Sequence, residues 1–208
     1  MSKPGSESEW VSVEDVDRSA FSKHPWSLSG GGAGQVQASI KRSAHSSLSR
    51  SGAVIGFGAV TRADDAYFLG KGALHRAGVD SSMQRLLVDG ESVRDWHTRG
   101  LLSVLWPYDE NSKEFAAKPE VSVERTLWPN RTLLRERSAY GQTQIQRGLQ
   151  WYEYSMFFWR RFGGLTLSFA CVATHNHFYL DRGQKVFNRH APVIKLPEGA
   201  GEDEHLEL

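Results

Sequence analysis

"ACVATHNHFYLDRGQKVFNRHAPVIKLP", residues 170–197, is the stretch on which the reading of the fold turns. Aromatic and β-branched residues recur along it, and Asp181-Arg182-Gly183 interrupts them, so two strands are predicted with a turn between them. A strand over residues 174–180 would point His175 and His177 to one face, because side chains alternate along a strand. Two imidazoles on one face raise the question of a metal. A catalytic metal needs a third ligand and a base, and the nearby carboxylate, Asp181, reads as a turn residue. The expectation is a half-polar strand with hydrogen-bonded histidines, and no metal ligand is assigned.

Outward from this stretch, 208 residues suffice for one ordinary domain with its own core. Apolar residues make up 39% and charged residues 24%, the balance of a soluble globular chain. No run approaches the roughly 20 apolar residues of a membrane span, and "MSKPGSESEW" lacks the core of a signal peptide, so a cytoplasmic protein without membrane contact is expected. A single cysteine, Cys171, excludes a disulfide framework and a cysteine-based zinc site. Within "LTLSFACVA" it reads as a buried small hydrophobe. A net charge of +1 does not announce nucleic acid, but its distribution says more. Between Arg125 and Arg161 seven arginines stand against two glutamates, a local charge of +5, while carboxylates gather in "ESEWVSVEDVD" and "EGAGEDEHLEL". Such segregation suits a basic surface with acidic flanks.

Three segments are expected: an extended polar lead-in over 1–24, the domain proper over 25–197, and an acidic tail over 198–208. The glycines of "SLSGGGAGQVQASIKRSAHSSL" lack the Gly-Lys-Ser/Thr of a Walker loop and the strand and spacing of a dinucleotide fingerprint. They read as a turn leading into a helix from Gln35 to Leu48. "AVIGFGAVTRADDAYFLG" reads as a β-hairpin or two neighbouring strands around a charged turn at Arg62–Asp65. "HRAGVDSSMQRLLVDGESVRDW" reads as a small helix, a turn and a strand ending at Trp96, and "LLSVLWPYD" as a further strand closed by Pro107. Pro129 suits a first helical turn, which predicts a helix from Pro129 to Ala139 with Arg131 and Arg135 on one face and Leu127, Leu133 and Leu134 giving apolar contacts. The fold class is mixed α+β, mostly antiparallel strands with a few helices.

Enzyme signatures are missing from the sequence: there is no Gly-x-Ser-x-Gly elbow, no His-Glu-x-x-His helix and no Cys-x-x-Cys pair. What stands out is arginine interleaved with amide and aromatic residues in "NRTLLRERSAYGQTQ". Arginine grips phosphate and guanine edges, Asn and Gln match adenine, and aromatic rings stack on bases. Trp106, Trp128 and Trp151 read as core rather than as stacking platforms.

The ordered succession "HPWSLSGGG", "IGFGAVTRADDAYFLG", "LVDGESVRDW", "LWPYD", "LWPNRTLLRER" and "WYEYSMF", ending in the opening stretch, resembles one region of large bacterial adenine-specific DNA methyltransferases. These are the type IIG restriction-modification and BREX phage-defence enzymes, and the region is similar to their TaqI-like target recognition domain. Gly90 to Trp96 matches a Gly-x-Asp-Ile-x-x-Tyr/Trp element of that family, and Trp151 to Tyr154 its Trp-Tyr element. The family's catalytic domain binds S-adenosylmethionine through a glycine-rich loop and holds the adenine with Asn/Asp-Pro-Pro-Tyr/Phe. No two of the seven prolines here are adjacent, so that motif is absent and no cofactor is assigned to this chain. The resemblance implies a fragment or split subunit that reads double-stranded DNA, with a separate methyltransferase catalytic subunit as a partner. The alternative is a fragment that docks to a partner without binding DNA. Arg131, Arg135, Arg137, Arg160 and Arg161 are the candidates for phosphate or guanine, with Arg62 and Arg94 beside them. Asn130, Tyr140, Gln142, Gln144 and Asn176 are the candidates for bases. The resemblance also implies that His175, Lys185, Asn188 and Arg189 approach DNA from a strand pair rather than from a nuclease centre.

Overall fold

Apolar alternation over residues 166–195 is realised as the inner strands of an antiparallel sheet in the computed structural model. The structure describes residues 3–11, 13, 15–22, 26, 32–70, 72–112 and 115–208. These form two compact units, 1–47 and 48–208.

In the larger unit, β11 (Thr166–Phe169) pairs with β12 (Phe178–Asp181) on one side and β14 (Val193–Lys195) on the other, and β1 (Val54–Gly56) completes the order β1-β14-β11-β12. The register sets Leu167 opposite both Leu180 and Ile194, and these three fill one small core. Ser168 lies opposite Tyr179 and Val193. Val193 joins Val88, Val93, Phe187 and Ala191 in a second cluster, as a period of two requires.

A second four-stranded sheet has the order β13-β4-β7-β3, from β13 (Val186–Phe187), β4 (Gln84–Val88), β7 (Leu102–Leu105) and β3 (Phe68–Leu69). Only the β13–β4 pair among the described strands is parallel. Three two-stranded ribbons complete the α+β fold: β2 (Ala59–Val60) with β10 (Met156–Phe157), β5 (Val93–Arg94) with β6 (His97–Thr98), and β8 (Ser138–Ala139) with β9 (Gln142–Thr143). The main core is aromatic and centres on Trp106. Its ring stacks on Phe162 at 4.4 Å and meets Tyr108 and Phe157 edge-on at 5.0 and 5.3 Å. "LWPYD" and "WYEYSMFFWRRF" are thus two halves of one cluster, and Trp106 is core as expected.

Several local expectations change. The stretch 53–70 is no hairpin: β1, β2 and β3 pair with three different partners, with α2 (Asp64–Tyr67) lying between the last two. The Asp181–Gly183 turn exists, with Gly183 N donating to Asp181 Oδ2 at 3.1 Å, but β12 and β13 belong to different sheets. The strand expected to reach Trp96 ends at Val88, where Asp89 and Ser92 close a turn before β5. Cys171 is exposed, because β11 stops at Phe169 and leaves the thiol in the following loop. The helix predicted over 129–139 is shorter: α5 spans Arg131–Glu136 after a 3-10 turn at Trp128–Asn130, and Arg137 is already extended. A helix not anticipated, α4 (Val121–Leu127), precedes it, capped by Glu120, whose carboxylate accepts from Ser122 N and Val123 N at 2.8 and 3.0 Å. Leu127 and Leu134 are buried, whereas Leu133 faces solvent. Short α3 (Ala73–Arg76) supports the second sheet.

The residues read as an acidic tail fold into α6 (Glu202–Leu206), with His205 buried and Arg182 paired to Glu202. In the smaller unit α1 runs over Ala33–Ser43, ending short of Leu48. Ser27 to Gly31 of the expected glycine turn lie outside the described residues. No described helix is long and apolar enough to cross a membrane.

Gly90 explains its own position. A Cβ there would stand 2.7 Å from the backbone carbonyl oxygen of His190, a group that cannot rotate away. G90A is predicted to lower unfolding free energy by about 1–3 kcal/mol, measured by urea denaturation.

Candidate nucleic-acid interface

Residues 150–154, "QWYEY", run from the surface along the edge of the core without regular pairing, burying Tyr152 and Tyr154, so their sheltered carbonyls need side-chain donors. Arg137 and Gln144 supply them. Arg137 is 6% exposed. It donates to the carbonyls of Trp151 and Glu153 at 2.9 and 2.8 Å, of Leu134 at 3.0 Å, and of Thr61. Gln144 Nε2, fully buried, donates to Gln150 O and Glu153 O at 3.1 and 3.2 Å, and its Oε1 accepts from Arg147 at 2.9 Å. Tyr67 Oη adds bonds to Tyr152 O and Glu153 O at 2.9 and 3.2 Å, under the Arg137 cation, and burial pushes its pKa up to about 12. Burial also lowers the pKa of Arg137 and raises that of Glu153, the latter against the pull of Arg137 and Arg147. Arg137 and Gln144 therefore face inward with their donors spent on the chain itself, and neither presents a group to an external ligand.

The surface candidates fall into separate groups. Arg131 on α5 lies over Trp128 at 4.9 Å and Trp151 at 5.9 Å, half-buried between them, while Trp128 is 59% exposed. Asn130, at the end of the 3-10 turn, and Arg135, on α5, are exposed. Immediately after α5 the β8–β9 turn presents Tyr140, 81% exposed in the left-handed region, beside exposed Gln142. A second group lines a shallow cleft: Arg62, Asn188 and Arg189, together with Asp64, Asp65 and His190. Arg160 is exposed over Trp159 at 5.2 Å.

Two other cations are spent internally. Arg161 donates to Phe57 O at 2.8 Å and stacks on Phe158 at 4.7 Å, filling the space a side chain at Gly56 would need. Lys185 is paired with buried Asp181 at 2.7 Å; burial works against its charge, but the bonds to Asp181 and Tyr179 hold its pKa above the usual value.

His175 and His177 lie in the loop before β12, not in a strand, yet their rings approach to 4.3 Å. Asn176 between them is exposed. Their neighbour is Asp95, at the tip of the β5–β6 ribbon, accepting from His177 Nδ1 at 2.9 Å. That bond holds the Asp95 carboxyl below its usual pKa. Trp96, 59% exposed at φ +59°, completes the tip, and half-buried Arg94 stands just before it. Asp95 and Trp96 were not found by sequence reasoning; a two-residue turn between Arg94 and His97 was the available signal, but nothing local connects it to residues 175–177.

No family model matches this chain. Over an alignment of 216 residues it is 38% identical to an adenine-specific methyltransferase of Streptomyces coelicolor. That relative is PglX. The similarity takes in 100% of this chain and 17% of PglX. Both the buried carbonyl hub and the exposed arginine–aromatic groups thus lie within the PglX-like region.

Two outcomes are predicted from the hub. R137A removes the guanidinium from the carbonyls of Leu134, Thr61 and Trp151, leaving Glu153 O its bonds from Gln144 and Tyr67, and should cost about 3 kcal/mol or more by chemical denaturation. Because the folded-state pKa of Glu153 lies above its unfolded value, Glu153 contributes most to stability below about pH 4, and that contribution is lost as pH rises through the folded value. The stability difference between wild type and E153Q should accordingly shift against the wild type as pH rises through that window, as read from urea midpoints at a series of pH values.

Proposed function

We propose that this chain is the DNA target-recognition part of an S-adenosylmethionine-dependent, adenine-specific DNA methyltransferase system of the restriction-modification or BREX type, acting in the cytoplasm. The observation that carries the reading is the similarity of the whole chain to a 17% share of PglX. The absence of adjacent prolines agrees with a role outside methyl transfer. A separate catalytic subunit would then hold S-adenosylmethionine and the extruded adenine, while this part fixes register on flanking sequence.

Arg135, Arg160, Arg62 and Arg189 are exposed cations suited to phosphates, and half-buried Arg131 is held beside the rings of Trp128 and Trp151, a placed guanidinium suited to phosphate or guanine. Tyr140, Gln142, Asn130 and Asn176 are exposed groups suited to bases. The exposed apolar side chains of Val121, Trp128 and Leu133 on consecutive helical segments favour a second reading, docking onto a partner subunit.

Fluorescence anisotropy of the folded chain with random-sequence duplex DNA separates the two. Binding should weaken steeply with salt, and R135A should reduce the slope of log affinity against log salt by about one. A folded sample that binds no duplex at low salt would overturn the DNA-reading proposal and leave docking.

A further inference from the structure

We propose that Asp95, His175 and His177 bind a divalent late transition-metal ion, which ties the loop 171–177 to the β5–β6 ribbon. The three residues come from two segments some eighty positions apart in sequence, and each offers a ligand atom within 4.8 Å of the other two. Asp95 Oδ1 and His177 Nδ1 stand 2.9 Å apart. In a tetrahedral site two metal–ligand bonds of about 2.1 Å hold their ends about 3.4 Å apart, so this hydrogen-bonded pair needs to open by only about half an ångström to become neighbouring ligands. Closing on His175 asks for a contraction of at most about 1.5 Å in an exposed loop.

The ligand chemistry is selective. Two imidazoles and one carboxylate suit zinc, nickel or cobalt rather than magnesium or calcium, which favour oxygen alone. On binding, the cation takes the place of the proton shared by His177 Nδ1 and Asp95, and that proton moves to Nε2, leaving a neutral ring. Outer contacts hold the ligands in place. Thr174 Oγ1 lies 3.0 Å from His175 Nδ1, and His97 Nδ1 donates to the Asp95 carbonyl at 2.8 Å while its Nε2 accepts from Arg99. Trp96 N already donates to Phe178 O at 2.8 Å, so the metal would reinforce an existing junction and fix the exposed Trp96. The inference does not depend on DNA binding.

Isothermal titration of zinc chloride into the full chain is the test. About one equivalent should bind, with affinity falling tenfold or more in D95N and in H175N, and unchanged in C171S, which removes the exposed thiol as a competing ligand. Hydrogen exchange should slow across 94–98 and 171–177 when zinc is added. No uptake by a folded sample, or uptake lost in C171S but kept in D95N and H175N, would overturn the site. Uptake that leaves exchange unchanged would overturn the tie.

Discussion

The larger unit depends on one constraint: an irregular backbone segment, 150–154, runs against the core and buries Tyr152 and Tyr154, and its sheltered carbonyls must be satisfied there. Arg137, Gln144 and Tyr67 meet that demand from three different parts of the chain, the end of α5, the residue after β9, and α2. Tyr108 Oη completes the set by accepting from Tyr154 N at 2.9 Å. Such a network is costly to leave half-made, so it fixes where α5 ends, where the β8–β9 ribbon begins and how Trp151 is presented. The half-buried guanidinium of Arg131 and the tip at Tyr140 are therefore positioned by the buried donors at 137 and 144.

This division explains why arginine content alone misleads. In "NRTLLRERSAYGQTQ" the side chains at 131, 135 and 137 look equivalent, and a recognition surface is one natural reading. Only long-range packing distinguishes them: position 137 falls where the helix has ended and extended backbone turns the side chain into the core. Position 135 remains on the solvent face of α5. The same applies to Gln142 and Gln144, two residues apart on a short ribbon, of which one is exposed and the other fully buried.

Much of the fold was legible where periodicity was strong. Strands on both sides of the Asp181–Gly183 turn, the strand closed by Pro107, and the mixed α+β class with mainly antiparallel pairing all follow from local pattern. What escaped was partner choice. Strands of two or three residues, such as β1, β2 and β3, carry too little pattern to say which sheet they join, and their partners lie about 100 or more residues further along the chain for β1 and β2. The histidine pair shows the same limit: its proximity was anticipated from a strand that does not form, and the carboxylate that completes the cluster is remote in sequence.

The central claim is that the arginine–aromatic surface built on this buried network faces DNA. Hydrogen–deuterium exchange of the folded chain with and without duplex DNA tests it directly. The account predicts slowed exchange in residues 128–143 and little change at Gln150, Glu153 and Tyr154, whose amides already donate internally to the Glu153 carboxylate, the Gln150 carbonyl and Tyr108 Oη. Protection confined to other surfaces, or no change anywhere under conditions where duplex is in excess, would contradict it.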